Sequence, residues 1–212
     1  MDNELKSLVG ENEKIYYEGK PDFKCFIFES IFNPMLPVAL IWFLFDSFFI
    51  GMALSDGFND GMGAFLLVFM LFHLMPVWLY LGGVIFSIRR YRNTYYVVTD
   101  KAVYLSNGVF TKNYHNKPFA ELSHVNLHRG IFDQMFGVGD ILLTSNQFTN
   151  GNNAYSDNNV TVAGININSI SNYTEVYNTI KKLQQDIYTD VMYPNDLRPK
   201  ENHGYNTEYK GE

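Results

Sequence analysis

Residues 35–54, MLPVALIWFLFDSFFIGMAL, and residues 62–88, MGAFLLVFMLFHLMPVWLYLGGVIFSI, stand back to back near the start of the chain, separated only by SDGFNDG at 55–61. A hydrocarbon core roughly 30 Å thick takes about 20 residues of helix to cross, and each run is that long. The pattern predicts a helical hairpin that enters a membrane and returns. Everything after residue 88 then works on the side where the chain began. A core helix of this length in a soluble protein would carry polar residues every third or fourth position, and these runs do not.

The flanking charges give the hairpin a direction. Lys14, Lys20 and Lys24 precede the first run, and Arg89, Arg90 and Arg92 follow the second, while the linker holds Asp56 and Asp60 and no base. Basic flanks remain in the cytoplasm, which predicts both termini inside and the linker outside. Arg89, Arg90 and Arg92 are also expected to meet anionic lipid, each contributing about 1 kcal/mol near the surface.

Outside the hairpin the chain is polar enough to bring the mean hydropathy to −0.12, so the whole-chain average hides the membrane segment. The net charge of −6 leaves no basic face to displace counterions from phosphates, which excludes nucleic acid as a partner. Cys25 is the single cysteine, so no internal disulfide forms, and it reads as a small apolar residue beside the membrane. The polar stretch before it lacks the pattern of a cleaved signal.

Two ionisable residues interrupt the runs. Asp46 and His73 fall at depths of roughly 13 and 18 Å below the outer linker, at about 1.5 Å per residue. Antiparallel neighbours can bring them together, and an unpaired charge there costs at least about 2.5–3.5 kcal/mol. The pair reads as a polar clasp between helices or subunits in preference to a proton- or ion-sensitive element. Pro34, Pro37 and Pro76 read as helix-start and kink positions. Trp42 and Trp78 lie inside the runs, away from the interfacial belts where tryptophan concentrates.

Beyond the hairpin the period changes from helix to strand. RNTYYVVT at 92–99, the turn Asp100-Lys101, residues 102–105 and the turn Asn107-Gly108 predict a β-hairpin, with a further strand over 109–114. More strands are expected over 122–129, 141–145 and 160–165, with a helical turn at 131–136 and a loop over 148–159. Tyr173, Val176, Tyr177, Ile180, Leu183 and Ile187 then share one face of a helix, capped by Asn172 with Glu175 three residues on. The expected organisation is a cytoplasmic N-terminal segment (1–33), a transmembrane hairpin (34–88), an α+β domain of short antiparallel strands closed by a helix (89–189) and a disordered tail (190–212).

Gly19-Lys20-Pro21, RYRNTYYVVTD at 90–100, Gly108-Val109-Phe110, LSHVNLHRG at 122–130 and Gly137-Val138-Gly139-Asp140 follow one another in an order that resembles the bacterial pleckstrin-homology-like (PH) membrane proteins. In these, a two-helix hairpin precedes a PH-like domain. The resemblance spans roughly Gly10 to Ile187. It implies a bent antiparallel β-barrel or sandwich of seven strands capped by the C-terminal helix, a bacterial inner (plasma) membrane location and no catalytic activity. Phosphoinositide-style binding does not carry over, because the first hairpin turn offers only Lys101, beside Asp100.

No catalytic residues, metal ligands or cofactor are expected. His124 and His128 have helical metal-pair spacing but fall in a predicted strand, and with His115 they read as surface histidines. Gly137-Val138-Gly139 lacks the following Lys-Ser/Thr of a phosphate loop and reads as a turn needing positive φ. The Asn159 and Asn172 glycosylation patterns are irrelevant on the cytoplasmic side. The combined expectation is a non-enzymatic inner-membrane protein presenting a cytoplasmic PH-like domain for protein–protein interaction or self-assembly. The alternative is a subunit of a transport or export assembly that works through Asp46 and His73. Expected partners are the lipid bilayer, an unidentified membrane or cytoplasmic protein, and further copies of the chain.

Overall fold

The computed structural model describes residues 3–55, 61–148, 154–155 and 162–192. The chain divides into two units: residues 27–89 form one, and residues 1–26 together with 90–212 form the other.

In the larger unit, TYYVV at 94–98 is apolar on both faces of a strand, the signature of burial on two sides. That strand, β2 (Tyr95–Thr99), sits inside a four-stranded antiparallel sheet ordered β1-β2-β3-β4, with β1 at Ile15–Gly19, β3 at Ala102–Asn107 and β4 at Asn113–Pro118. Alternation then sends Tyr96 and Val98 to one face and Tyr95 and Val97 to the other. Tyr96, Val98, Val103 and Leu105 enter the main core. Tyr95, Val97, Ala102 and Tyr104 are covered by Leu5 of a short helix, α1 (Asn3–Ser7). Lys6–Glu18 and Lys112–Glu4 ion pairs hold α1 down, joined by a Tyr114–Glu4 hydrogen bond.

A second antiparallel sheet is ordered β5-β6-β8-β7: β5 (Leu122–His128), β6 (Gly139–Phe148), β7 (Ala154–Tyr155) and β8 (Val162–Ile170). Its Leu122, Ile141, Leu143, Ile165 and Ile167 meet the first sheet in one core. Val176, Ile180 and Leu183, at helical spacing on the C-terminal helix α7 (Tyr173–Met192), close that core, and Gln184 donates to the Leu122 carbonyl at 2.9 Å. The two sheets stay separate, so the unit is an open sandwich and not a closed barrel.

Four local expectations change. Strand β4 runs over 113–118 and not 109–114, because Gly108 at φ +134° starts a wider turn through Lys112, and a Cβ there would lie 1.8 Å from the Thr111 carbonyl oxygen. The loop expected at 148–159 has a short strand within it, Ala154–Tyr155, paired to β8. The helix expected to end before residue 190 continues to Met192, and the tail expected beyond it lies outside the described residues. Finally, the segment expected as a separate stretch before the hairpin supplies β1, which pairs with β2 across the whole apolar insertion, Gly19 opposite Tyr96.

Helix α2 (Phe23–Ile31) follows β1, and the smaller unit holds the apolar runs. The first forms a single helix, α3 (Met35–Ser55), whose Leu40, Ile41, Leu44, Phe45 and Phe48 are exposed. The second run does not form one straight helix. It breaks into α4 (Gly61–His73) and α5 (Met75–Asn93), bent by 45°. The expected pair of spanning helices is therefore corrected: among the described residues, one unbroken helix is long and apolar enough to cross a membrane, with the bent pair as a second stretch only if taken together.

Pro76 supplies the reason for the break. It has no N–H to give the Phe72 carbonyl, and the ladder around it rearranges so that Val77 and Trp78 both donate to Leu74. That strips the usual partners from neighbouring carbonyls. The Trp42 indole N–H donates to the His73 carbonyl at 2.8 Å and the Trp78 indole to the Leu71 carbonyl at 3.1 Å. The two tryptophans, out of place for interfacial belts, cap the carbonyls that the break leaves open.

Candidate functional site

Three places in the fold carry chemistry. The first lies in the apolar unit, where α3 and α4 bring Asp46 and His73 together. His73 Nδ1 is 2.8 Å from Asp46 Oδ1, and Asp46 is fully buried. The imidazole is held in an aromatic box, stacked on Trp42 at 5.2 Å and on Phe69 at 5.5 Å, with Phe45 at 6.3 Å. The second carboxylate oxygen, Asp46 Oδ2, is buried without a hydrogen-bond partner. The arrangement is a tight polar clasp between two helices with one acceptor left over.

The second place is the end of the larger unit where the chain leaves at Phe26 and returns at Arg90. Arg90, Arg92, Lys20 and Lys24 are exposed there. The Arg90 guanidinium lies over the Phe26 ring at 5.3 Å, and Lys20 Nζ donates to the Arg92 carbonyl at 3.3 Å beside the rings of Tyr91 and Tyr95. Arg89 falls in the other unit and is exposed.

At this same end a short helix, α6 (Ile131–Phe136), joins β5 to β6. Asp133 on its first turn is almost fully buried and accepts from the Gly130 amide at 2.8 Å, while Gly137 closes the helix in the left-handed conformation at φ +71°. The positive-φ turn expected at Gly137 is present. The Cys25 thiol lies 3.5 Å from Asp133 Oδ1, and the Cys25 amide is capped by Asp22 at 2.9 Å. Cys25 was expected only as a small apolar residue. The Asp22-x-x-Cys25 capping spacing was legible in the sequence, but its partner 108 residues away was not.

Of the histidines, His124 and His128 project from β5 and His115 from β4. His128 Nδ1 is 3.9 Å from Asp140 Oδ2, and His128, Asp133 and Asp140 each place a potential donor atom within 4.8 Å of the others. The carboxylates are already engaged: Asp133 caps Gly130, and Asp140 Oδ1 accepts from the Ser169 amide at 2.7 Å. This grouping reads as two backbone caps, one with a histidine alongside. Burial foremost, with Asp133 adding, raises the Asp140 carboxyl above the usual range, against the Ser169 amide and His128.

The third place is the opposite end of the first sheet, the Asp100-Lys101 turn between β2 and β3. Here Asp100 accepts from the Lys14 amide at 3.1 Å, and Glu13 accepts from Thr99 at 2.7 Å and from Tyr104 at 3.0 Å. Burial first, and then the Glu13 carboxylate, push the Tyr104 hydroxyl up to about 12. Two carboxylates organise this turn, which makes it poorly suited to gripping clustered phosphates.

Two open antiparallel sheets packed face to face and closed by a C-terminal helix define a PH-like α+β unit, here interrupted after its first strand by an apolar helical insertion. The chain belongs to the bacterial PH domain family, whose model matches residues 40–184, well over half its length. Comparison with curated proteins and with solved structures gave no match.

Proposed function

We propose that this protein is a non-enzymatic module of the bacterial inner membrane, in which the apolar unit serves as the anchor and the PH unit binds another protein or a second copy on the cytoplasmic side. The observation that carries this reading is the β1–β2 pairing across the insertion, with Gly19 opposite Tyr96. Neighbouring strands of one sheet lie about 5 Å apart, so the two ends of the insertion belong on one side of a bilayer. If α3 crosses, the bent pair α4 and α5 is the stretch that returns, and the basic flanks put that side in the cytoplasm. Both termini are then cytoplasmic.

Binding draws on the open edges of the sandwich. Among the described residues, strands β4 and β5 each pair on one side only, and β5 presents exposed His124, Asn126, Leu127 and His128. An unpaired edge accepts an extended peptide through backbone hydrogen bonds. Impermeant maleimide applied to intact cells should label a Ser55→Cys variant, and an Asn178→Cys variant only after lysis. A photo-crosslinking residue at Asn126 should yield an adduct absent when the same residue replaces Lys181 on α7. Labelling of Asn178→Cys in intact cells would overturn the topology, and equal crosslinking at both sites would overturn the edge as the binding surface.

One observation favours a second reading. The buried, unpartnered Asp46 Oδ2 beside His73 suits a proton-coupled subunit of a transport or export assembly. Asp46→Asn separates the two: an anchor retains assembly and partner crosslinking, whereas a proton-coupled device assembles but loses pH-driven proton uptake in proteoliposomes.

A further inference from the structure

The α6 knuckle carries two of its apolar side chains outward. Ile131 is 83% exposed and Met135 58% exposed, and their i, i+4 spacing puts them on one face of the helix. The opposite face is fixed. Asp133 is buried and tied to Gly130 and Cys25, and Gly137 terminates the helix, so the two exposed side chains stand on a clamped support and not on a loose loop. Burying them would satisfy the hydrophobic effect, yet among the described residues of the PH unit none covers that face.

Position says what does. Through Cys25, α6 is fastened to the residues at which the chain leaves the PH unit for the apolar insertion, one residue before Phe26. The same end exposes Phe23, Lys20, Lys24, Arg90 and Arg92. Three acids there are engaged inward: Asp22 on the Cys25 amide, Asp133 on Gly130 and Asp140 on Ser169. Exposed apolar tips and exposed bases at one end of the unit match the boundary between anionic headgroups and acyl chains, where apolar burial and charge attraction add.

We propose that α6 is a lipid-contacting wedge whose Ile131 and Met135 side chains enter the headgroup–acyl boundary of the bilayer that holds the apolar unit. The proposal rests on the membrane-anchor reading given above. The wedge is a site distinct from the Asp100-Lys101 turn, which closes the far end of the first sheet. It would fix the orientation of the PH unit on the membrane, so that the open edge of β5, which runs directly into α6, is presented at a set height.

The test uses the full chain reconstituted in vesicles of phosphatidylethanolamine and phosphatidylglycerol carrying doxyl-labelled lipids. An environment-sensitive nitrobenzoxadiazole dye is placed on Met135→Cys or, as a control, on Asn178→Cys of α7. Wild-type protein, whose Cys25 is buried, serves as the labelling blank. Quenching of the dye at position 135 by shallow doxyl lipids, several-fold above that at 178, is the expected result. Equal quenching at both positions, with Trp42 and Trp78 fluorescence still quenched by acyl-chain doxyl groups, overturns the wedge and leaves the anchor standing. Unquenched tryptophans overturn the anchor, and the wedge with it. A blue-shifted but unquenched dye at 135 means that protein, such as a second copy, covers the face, and that also overturns the proposal.

Discussion

Replacing Trp42 by Phe tests the account of the broken helix. Phenylalanine keeps a ring against His73 but removes the indole N–H that caps the His73 carbonyl at 2.8 Å. A carbonyl left without a partner in apolar surroundings costs about 1–3 kcal/mol, and side-chain hydrogen bonds measured within membranes average roughly 0.6 kcal/mol. The expected loss is therefore about 1 kcal/mol, or roughly a five-fold change in the folding equilibrium. The sharper test is a double-mutant cycle with Pro76→Ala. An alanine restores an N–H at position 76 and allows the ladder to straighten, which returns the Val77 amide to the His73 carbonyl and makes the tryptophan cap redundant. Trp42→Phe should then cost nothing measurable in the Pro76→Ala background, giving a coupling close to the full single-mutant loss. Reversible denaturation in detergent micelles, followed by circular dichroism, measures each corner. If Trp42→Phe costs the same with and without Pro76, the tryptophan is packing and not capping, and the explanation of the break fails.

Leu5→Ala should cost about 2–3 kcal/mol, the lower part of the range for core leucines because a terminal helix can relax into the space, and should abolish hydrogen-exchange protection over Asn3–Ser7; unchanged protection there would refute the role given to α1. The Asp140 carboxyl is raised in the folded state, chiefly by burial, so its contribution to stability is fully present below the ordinary carboxylate range and is lost as pH rises through the raised folded value. Asp140→Asn keeps an acceptor for the Ser169 amide, and should raise the neutral-pH Tm while flattening that decline in a Tm-versus-pH series; a lower Tm at neutral pH would contradict the assignment. Glu18 titrates in the opposite sense. Burial alone would raise it, but donation from Lys6 and Tyr95 holds it below the usual range, so its stabilising contribution is present at neutral pH and lost as pH falls through the folded value; Glu18→Gln should remove that acid-side loss in the same series.

Much of the PH unit was legible because its signals are local. TYYVV, Asn107-Gly108, the helical stripe from Tyr173 to Ile187 and the glycine before β6 each declare an element within a few residues. What was not legible depends on distance along the chain. IYYEG at 15–19 is as good a strand as any, yet nothing near it says that its partner lies beyond the apolar insertion. Leu5 sits in a polar helix that is too short to show a period, so its burial against Val97 and Tyr104 leaves no mark in the sequence. The apolar runs illustrate the converse. Composition tells their character but not their continuity, because one proline outweighs the hydropathy of the 27 residues around it, and two tryptophans inside the runs do not by themselves declare a break. In the candidate site, helical rise alone brings Asp46 and His73 to similar depths, and their side chains lie 2.8 Å apart. The Cys25–Asp133 contact and the outward face of α6 needed the fold.

The pairing of β1 with β2 also sets an order of events during synthesis. The first strand leaves the ribosome well before its neighbour, with Arg92 lying 72 positions after Lys20 and most of the residues between them apolar. At roughly 5–20 residues per second, several seconds pass in which β1 has no partner while α3, α4 and α5 emerge. The first sheet can close only after the apolar segment has been made and, if that segment spans a membrane as proposed, only after its far end has returned to the side of β1. On the anchor reading proposed above, the PH unit becomes a built-in report on its own anchor: a chain whose apolar segment stalls or inverts would leave β1 and β2 in different compartments, and the PH unit would never complete its first sheet.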